Sequence, residues 1–192
     1  MRARTCDRLR LDDRAVAPEG SLNARLYLVG AAPGRREAET GRPFVGPAGA
    51  ALREMMREAG IDVSRVRLAN AIPFRPIERS AESRVRNRRP TEKELRIYGQ
   101  SVLVDIAKVQ PKLIGALGKS AAMLFGASIP IRRSRARTFQ FQNMPVRFTY
   151  HPGFVLRFGG RGSALWQSAV RDLRKFWNEA EHRRSMHARA RS

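Results

Sequence analysis

The chain is poor in the groups that would anchor several common protein types. It has one cysteine, Cys6, in 192 residues, so no disulfide can close within it, and a reducing cytoplasm is the compartment it suits. No apolar run approaches the roughly 20 residues that a membrane-spanning helix needs. Residues 1–20 alternate Arg and Asp with small apolar side chains and have no hydrophobic stretch, which excludes a secretory signal there. Histidine is also scarce. His182 and His187 stand in the basic tail with no Cys or acidic cluster at ligand spacing, so no metal site is expected.

Acidic residues are few against the basic ones. Asp and Glu number 17 and Lys and Arg 38, giving a formal charge of +21. A folded domain so charged attracts polyanions, nucleic acid before an anionic membrane surface. With 42% hydrophobic residues the chain can still bury a full core. Its length fits one compact domain, over residues 21–182, between a basic N-terminal arm (1–20) and a basic C-terminal tail (183–192).

Between the arms, strand and helix signals alternate. Residues 25–32 (RLYLVGAA), 66–72 (VRLANAI), 112–118 (KLIGALG) and 144–150 (MPVRFTY) are short apolar runs, the last paired in part with 137–142. Helical spacing marks 46–59, with Leu52, Met55 and Met56 in register and Gly60 as a stop. Thr91 and Glu94 form a capping-box signature opening a helix over 91–109. Further helices are expected from 119 and over 165–177. Strands separated by helices predict an α/β fold, a three-layer α/β/α sandwich with a central, mainly parallel four-stranded sheet. Residues 76–90 (PIERSAESRVRNRRP) read as a long Arg-rich loop.

Ligands of such sheets bind beyond the carboxyl ends of the strands. Three loops leave those ends: residues 30–46 (GAAPGRREAETGRPFVG), the segment starting at Asn70, and residues 151–157 (HPGFVLR). Each has an ordinary alternative as a turn, a cap or a packed loop, but all three converge on one sheet edge.

The stretch 30–46 resembles, without a gap, the first motif of the family-four uracil-DNA glycosylases. Asn70 with Arg75-Pro76, Arg89-Pro90-Thr91, residues 111–121 (PKLIGALGKSA) and Thr149-Tyr150-His151-Pro152 follow in that family's order. The resemblance covers residues 25–177. It implies removal of uracil from single- or double-stranded DNA by flipping the nucleotide into a pocket. By the same resemblance, Phe44 faces the flipped base, and Ala31 and Ala32 contribute pocket backbone. Asn70 reads the uracil edge, since an amide can both donate to a carbonyl and accept from a ring N–H. Glu37 stands near the C5 edge, and His151 donates toward uracil O2. Water is the expected nucleophile, because no lysine at the motif positions is placed to form a Schiff base.

DNA contacts are expected from Arg75, from Arg84, Arg86 and Arg88 of the polar loop, and from Gly118, Lys119 and Ser120. Leu156 is expected to fill the hole left by the flipped base while Arg157 holds phosphate. Gly118-Lys119-Ser120 also resembles the end of a nucleotide-binding P-loop, but Leu113 replaces its first glycine, which excludes that reading.

The chain departs from the family at its cluster ligands and at the acid of its first motif. The later two of the four cysteines that hold its iron–sulfur cluster correspond to Phe74 and Tyr98, and one thiolate cannot hold a cluster, so no cofactor is expected. Aromatic packing of Phe74 against Tyr98 should stand in its place. The acidic residue of the first motif, held to direct the water, is Ala31 here. Either Glu37 or Glu39 takes over, or backbone and His151 position the water, or the chain is a catalytically silent DNA-binding module. A soluble, monomeric, cytoplasmic enzyme with no membrane contact is the leading expectation.

Overall fold

The computed structural model describes residues 9–79, 84–127, 135 and 137–183. Cys6, His187 and most of the basic tail lie outside that range.

The central sheet has six strands, in the order β2 (Glu19–Gly20), β4 (Val66–Asn70), β3 (Leu26–Gly30), β7 (Leu113–Leu117), β9 (Met144–Thr149), β8 (Phe139–Phe141). The four strands expected from apolar runs are the inner four, and all pair in parallel. Two short antiparallel strands close the edges, β2 on β4 and β8 on β9. Parallel strands covered on both faces are mostly apolar, and β3, β4 and β7 are buried throughout, with Arg67 of β4 paired to Asp105 at 2.7 Å.

Period-two alternation divides those side chains between two cores. Leu26 and Leu28 of β3 pack with Leu52, Met55 and Met56 of α2 (Pro47–Glu58) and with Trp166, Leu173 and Phe176 of α7 (Ala164–His182). Tyr27 and Val29 face the other way, against Leu95 of α3 (Glu92–Tyr98), Val102 and Ile106 of α4 (Gln100–Val109), and Ala121 of α5 (Lys119–Leu124). That is the three-layer sandwich. Thr91 caps α3 as expected: its Oγ1 accepts from Glu94 N–H at 3.2 Å and Glu94 Oε2 accepts from Thr91 N–H at 2.8 Å. The one long helix expected after it is two, broken at Gly99, where a Cβ would stand 2.3 Å from the Leu95 carbonyl oxygen and 2.4 Å from Leu124 Cδ1. No helix among the described residues is long and apolar enough to cross a membrane.

Two expectations need correction. Residues 9–20 are not a loose arm. Strand β1 (Leu9–Leu11) pairs antiparallel with β5 (Pro76–Arg79), Val16 is buried, and Asp12 and Val16 N–H groups donate to the carbonyls of Arg75 and Pro73. Charge density hid Leu11 and Val16, which supply the apolar contacts. The Arg-rich stretch after residue 76 is likewise no open loop, because β5 and β6 (Val85–Asn87) form an antiparallel hairpin that β1 completes as a second sheet.

The expected aromatic pair is present: Phe74 and Tyr98 meet edge to face with centroids 5.3 Å apart. Neither side chain supplies a thiolate of the kind that holds an iron–sulfur cluster, and the chain's single cysteine cannot replace the missing ones.

Candidate active site

Strands β3, β4, β7 and β9 end together at Gly30, Asn70, Leu117 and Thr149, and the loops beyond them enclose a cavity of about 790 Å³. Ala31, Ala32, Glu37, Phe44 and Asn70 line it from the first two strands. Gly118, Lys119, Ser120, His151 and Arg157 line it from the other two, and Arg88 reaches it from the hairpin. Residues 126 positions apart in the chain, Ala31 and Arg157, thus line one cavity at a single sheet edge.

Gly30 sets the position of the two walls. A Cβ there would stand 2.6 Å from Phe44 Cζ and 2.7 Å from Asn70 Oδ1, so ring and amide can approach only over a glycine. Phe44 is buried and has a positive φ of 56°, a costly conformation for an aromatic residue, fixed by its carbonyl lying against the start of α2. Asn70 is only 8% exposed, yet its amide has no hydrogen-bond partner among the described residues. A nearly buried amide in a cavity wall is costly unless something in the cavity completes it.

Glu37 is a clamp. It lies in α1 (Arg35–Thr40), and its carboxylate accepts from Gly34 N–H at 3.1 Å and from Gly46 N–H at 2.7 Å, joining both ends of the first loop. Glu39, its alternative as acid, sits outside the cavity lining, 3.8 Å from Arg35 on the exposed face of the same helix.

His151 caps α6 (Pro152–Phe158), its Nδ1 accepting from Gly153 N–H at 3.1 Å. An imidazole that accepts at Nδ1 carries its proton at Nε2, so the neutral ring is a donor. Desolvation in the cavity wall and the positive charge of Arg89 hold its pKa down to about 4, against the opposing charge of Glu37. The ring is therefore a neutral Nε2–H donor at physiological pH.

Several expected DNA contacts sit differently. Arg88 is bonded to both oxygens of Glu94, at 2.5 and 2.7 Å, and to the Ile77 carbonyl. Arg75 donates to Asn87 Oδ1 at 2.7 Å. Arg75 joins the two ends of the hairpin and Arg88 ties it to α3, uses no charge count reveals. Arg84 and Arg86 are exposed on the hairpin but lie outside the cavity lining, whereas Lys119 and Arg157 are exposed at its mouth. Leu156 is half-buried against the α2 and α7 core and does not project. The segment after His151 is helical, so the neighbours one and two residues away point elsewhere, and Phe154 and Phe158 are the exposed apolar groups. Arg89, expected at phosphate with the other loop arginines, lines the cavity, and so do Arg35 and Arg36, which no sequence signal singled out.

A slot with an aromatic face, an unpaired amide and a neutral donor, ringed by cations, suits a planar heterocycle carried on a polyanion. The chain belongs to the uracil DNA glycosylase superfamily, whose pattern residues 17–179 match. It is 35% identical over 163 residues to a type-4 uracil-DNA glycosylase of Thermotoga maritima, covering 83% of this chain and 80% of that one. A type-4 uracil-DNA glycosylase of Archaeoglobus fulgidus is 31% identical over 165 residues, covering 81% and 79%. Among solved structures, wild-type SMUG2 of Pedobacter heparinus superposes with a TM-score of 0.58 at 15% identity over 84% of this chain and 77% of that one, a likeness of fold.

Proposed function

We propose that the protein is a monofunctional uracil-DNA glycosylase of base-excision repair, acting as a cytoplasmic, cofactor-free monomer on uracil-containing DNA. The observation that carries this reading is the unpaired Asn70 amide beside Phe44 and opposite a neutral His151 in one cavity. The target nucleotide leaves the base stack and enters the cavity. Phe44 supports the ring, and the Asn70 amide accepts from N3–H and donates to O4. As the C1′–N1 bond breaks, positive charge grows on the sugar and negative charge on the base. His151 Nε2–H then stabilises the anion at O2, and water completes the hydrolysis. Exposed Arg35, Arg36, Lys119 and Arg157 suit the phosphates.

Ala31 supplies no carboxylate. Because Glu37 is already spanned by two backbone donors, we assign it to holding the loop and assign the water to backbone groups and the departing charge. The competing reading, a silent module that binds uracil without cutting, is favoured by Ala31 alone. Alkaline cleavage of a labelled oligonucleotide with one uracil separates them: excision supports the enzyme, and uracil-dependent binding without cleavage supports the module. Lys119 is assigned to phosphate, so borohydride should trap no enzyme–DNA adduct.

Two further outcomes follow from the geometry. Gly30→Ala drives a methyl group into Phe44 and Asn70. Overpacking of this kind costs about 1–3 kcal/mol, which leaves a folded protein, but displacement of both walls should lower kcat/KM by about 100-fold. Circular dichroism and uracil release measured side by side check it. The purified protein should also be colourless and iron-free by metal analysis, and a brown preparation would contradict the structural role given to Phe74 and Tyr98.

A further inference from the structure

The last turn of the cavity wall carries aromatic side chains at four-residue spacing. Tyr150, just before the cap of α6, and Phe154 and Phe158 within the helix form a row of rings. The first two rings are stacked at 5.8 Å with planes 18° apart, and the third is tilted against the second, 4.7 Å away with planes 41° apart. The inner end of the column is fixed, since the Arg135 guanidinium lies 4.5 Å from the Tyr150 ring and is itself bonded to Asp172 at 2.6 Å. The outer end is open. Phe158 is 64% exposed, more than the other two rings, with the Arg157 guanidinium 5.4 Å from its centroid. All three rings belong to the wall of the cavity that holds Phe44 and His151.

A lone projecting side chain suits a wedge between paired bases. A buttressed column ending in a free ring, with a cation beside it, instead offers a platform to a base that has no stacking partner of its own. We propose that Phe158 is a stacking platform for the nucleobase adjoining the flipped uracil, and that it makes uracil in single-stranded DNA the preferred substrate. The inference rests on the glycosylase reading for its choice of DNA and uracil. Within a duplex the adjoining base is already stacked and paired, so landing on Phe158 gains nothing net. In a single strand the same contact is pure gain, and Arg157 stands where the next phosphate passes. A lipid surface is the poorer occupant, because the platform opens beside the cavity and beside the Arg157 guanidinium rather than on an extended apolar face.

The test compares kcat/KM for uracil in a single strand with that for uracil paired to A or G, in wild type, Phe158→Ala and Phe158→Trp. Stacking on one aromatic side chain is worth about 5- to 150-fold, so the single-strand to duplex ratio should fall by that range in the alanine variant and return with tryptophan. Exposure of the ring means that neither change threatens the fold. A ratio unchanged by Phe158→Ala, or a wild type that favours duplex, overturns the proposal. A second readout does not need catalysis: 2-aminopurine placed next to uracil in a single strand should be quenched on binding wild type and not the alanine variant. Quenching without excision would sink the glycosylase reading and keep the platform, whereas excision without Phe158-dependent quenching would do the reverse.

Discussion

His151→Ala should lower uracil excision by about 10²- to 10³-fold, equivalent to about 2.7–4 kcal/mol of transition-state stabilisation, with kcat falling far more than substrate affinity. The asymmetry follows from where the charge is. Uracil O2 bears little negative charge in the ground state, so the Nε2–H bond strengthens only as the glycosidic bond breaks. Single-turnover rates against binding of a non-cleavable uracil analogue separate the two effects, and an equal loss in both would make His151 a simple binding residue. The same residue sets a pH signature. Its pKa is held down to about 4 from an ordinary 6.5. The unfolded chain therefore takes up a proton between those values that the folded chain refuses. The stability contribution is full above 6.5 and is lost as pH falls toward 4. NMR titration of the imidazole should find its midpoint near the lower value, and protonation at Nδ1 should release the cap on Gly153.

Asn70→Asp should have the second large effect, on choice of base. Uracil offers an acceptor at O4 and a donor at N3, and cytosine offers the reverse. A buried site built on such hydrogen bonds discriminates by about 10⁴-fold or more, because the wrong base leaves polar groups unpaired. Aspartate keeps the shape, loses the N–H donors and places negative charge opposite O4. Uracil excision should fall toward the level for cytosine, with little change in melting temperature. Parallel assays on uracil- and cytosine-containing strands measure this directly, and undiminished uracil excision would remove Asn70 from base recognition.

Much of this architecture was readable in the chain. The inner strands announced themselves because a parallel strand covered on both faces is mostly apolar, as residues 26–30 and 113–117 are. The Thr91–Glu94 cap could be placed because its chemistry is local. Phe44, Asn70 and His151, the candidates that motif order singles out, line one cavity. What escaped was whatever depends on partners distant in sequence. Arg75 and Arg88 look like free cations in an Arg-rich stretch, yet Asn87 and Glu94 engage them. Residues 9–20 look too charged to fold, but two exposed sheet edges, on β4 and β5, give their backbone a partner. Leu156 was taken for the projecting group because the segment read as a loop. Once it is a helix, the spacing of 150, 154 and 158 is the legible signal, and it names the aromatics instead.

The most direct measurement is single-turnover release of free uracil from uracil-containing DNA by the purified protein, with the base quantified by chromatography. One uracil and one intact abasic strand should appear per turnover, without added metal and without a trapped adduct. Uracil-dependent binding with no base released would contradict it, and would make the absent carboxylate at Ala31 the reason.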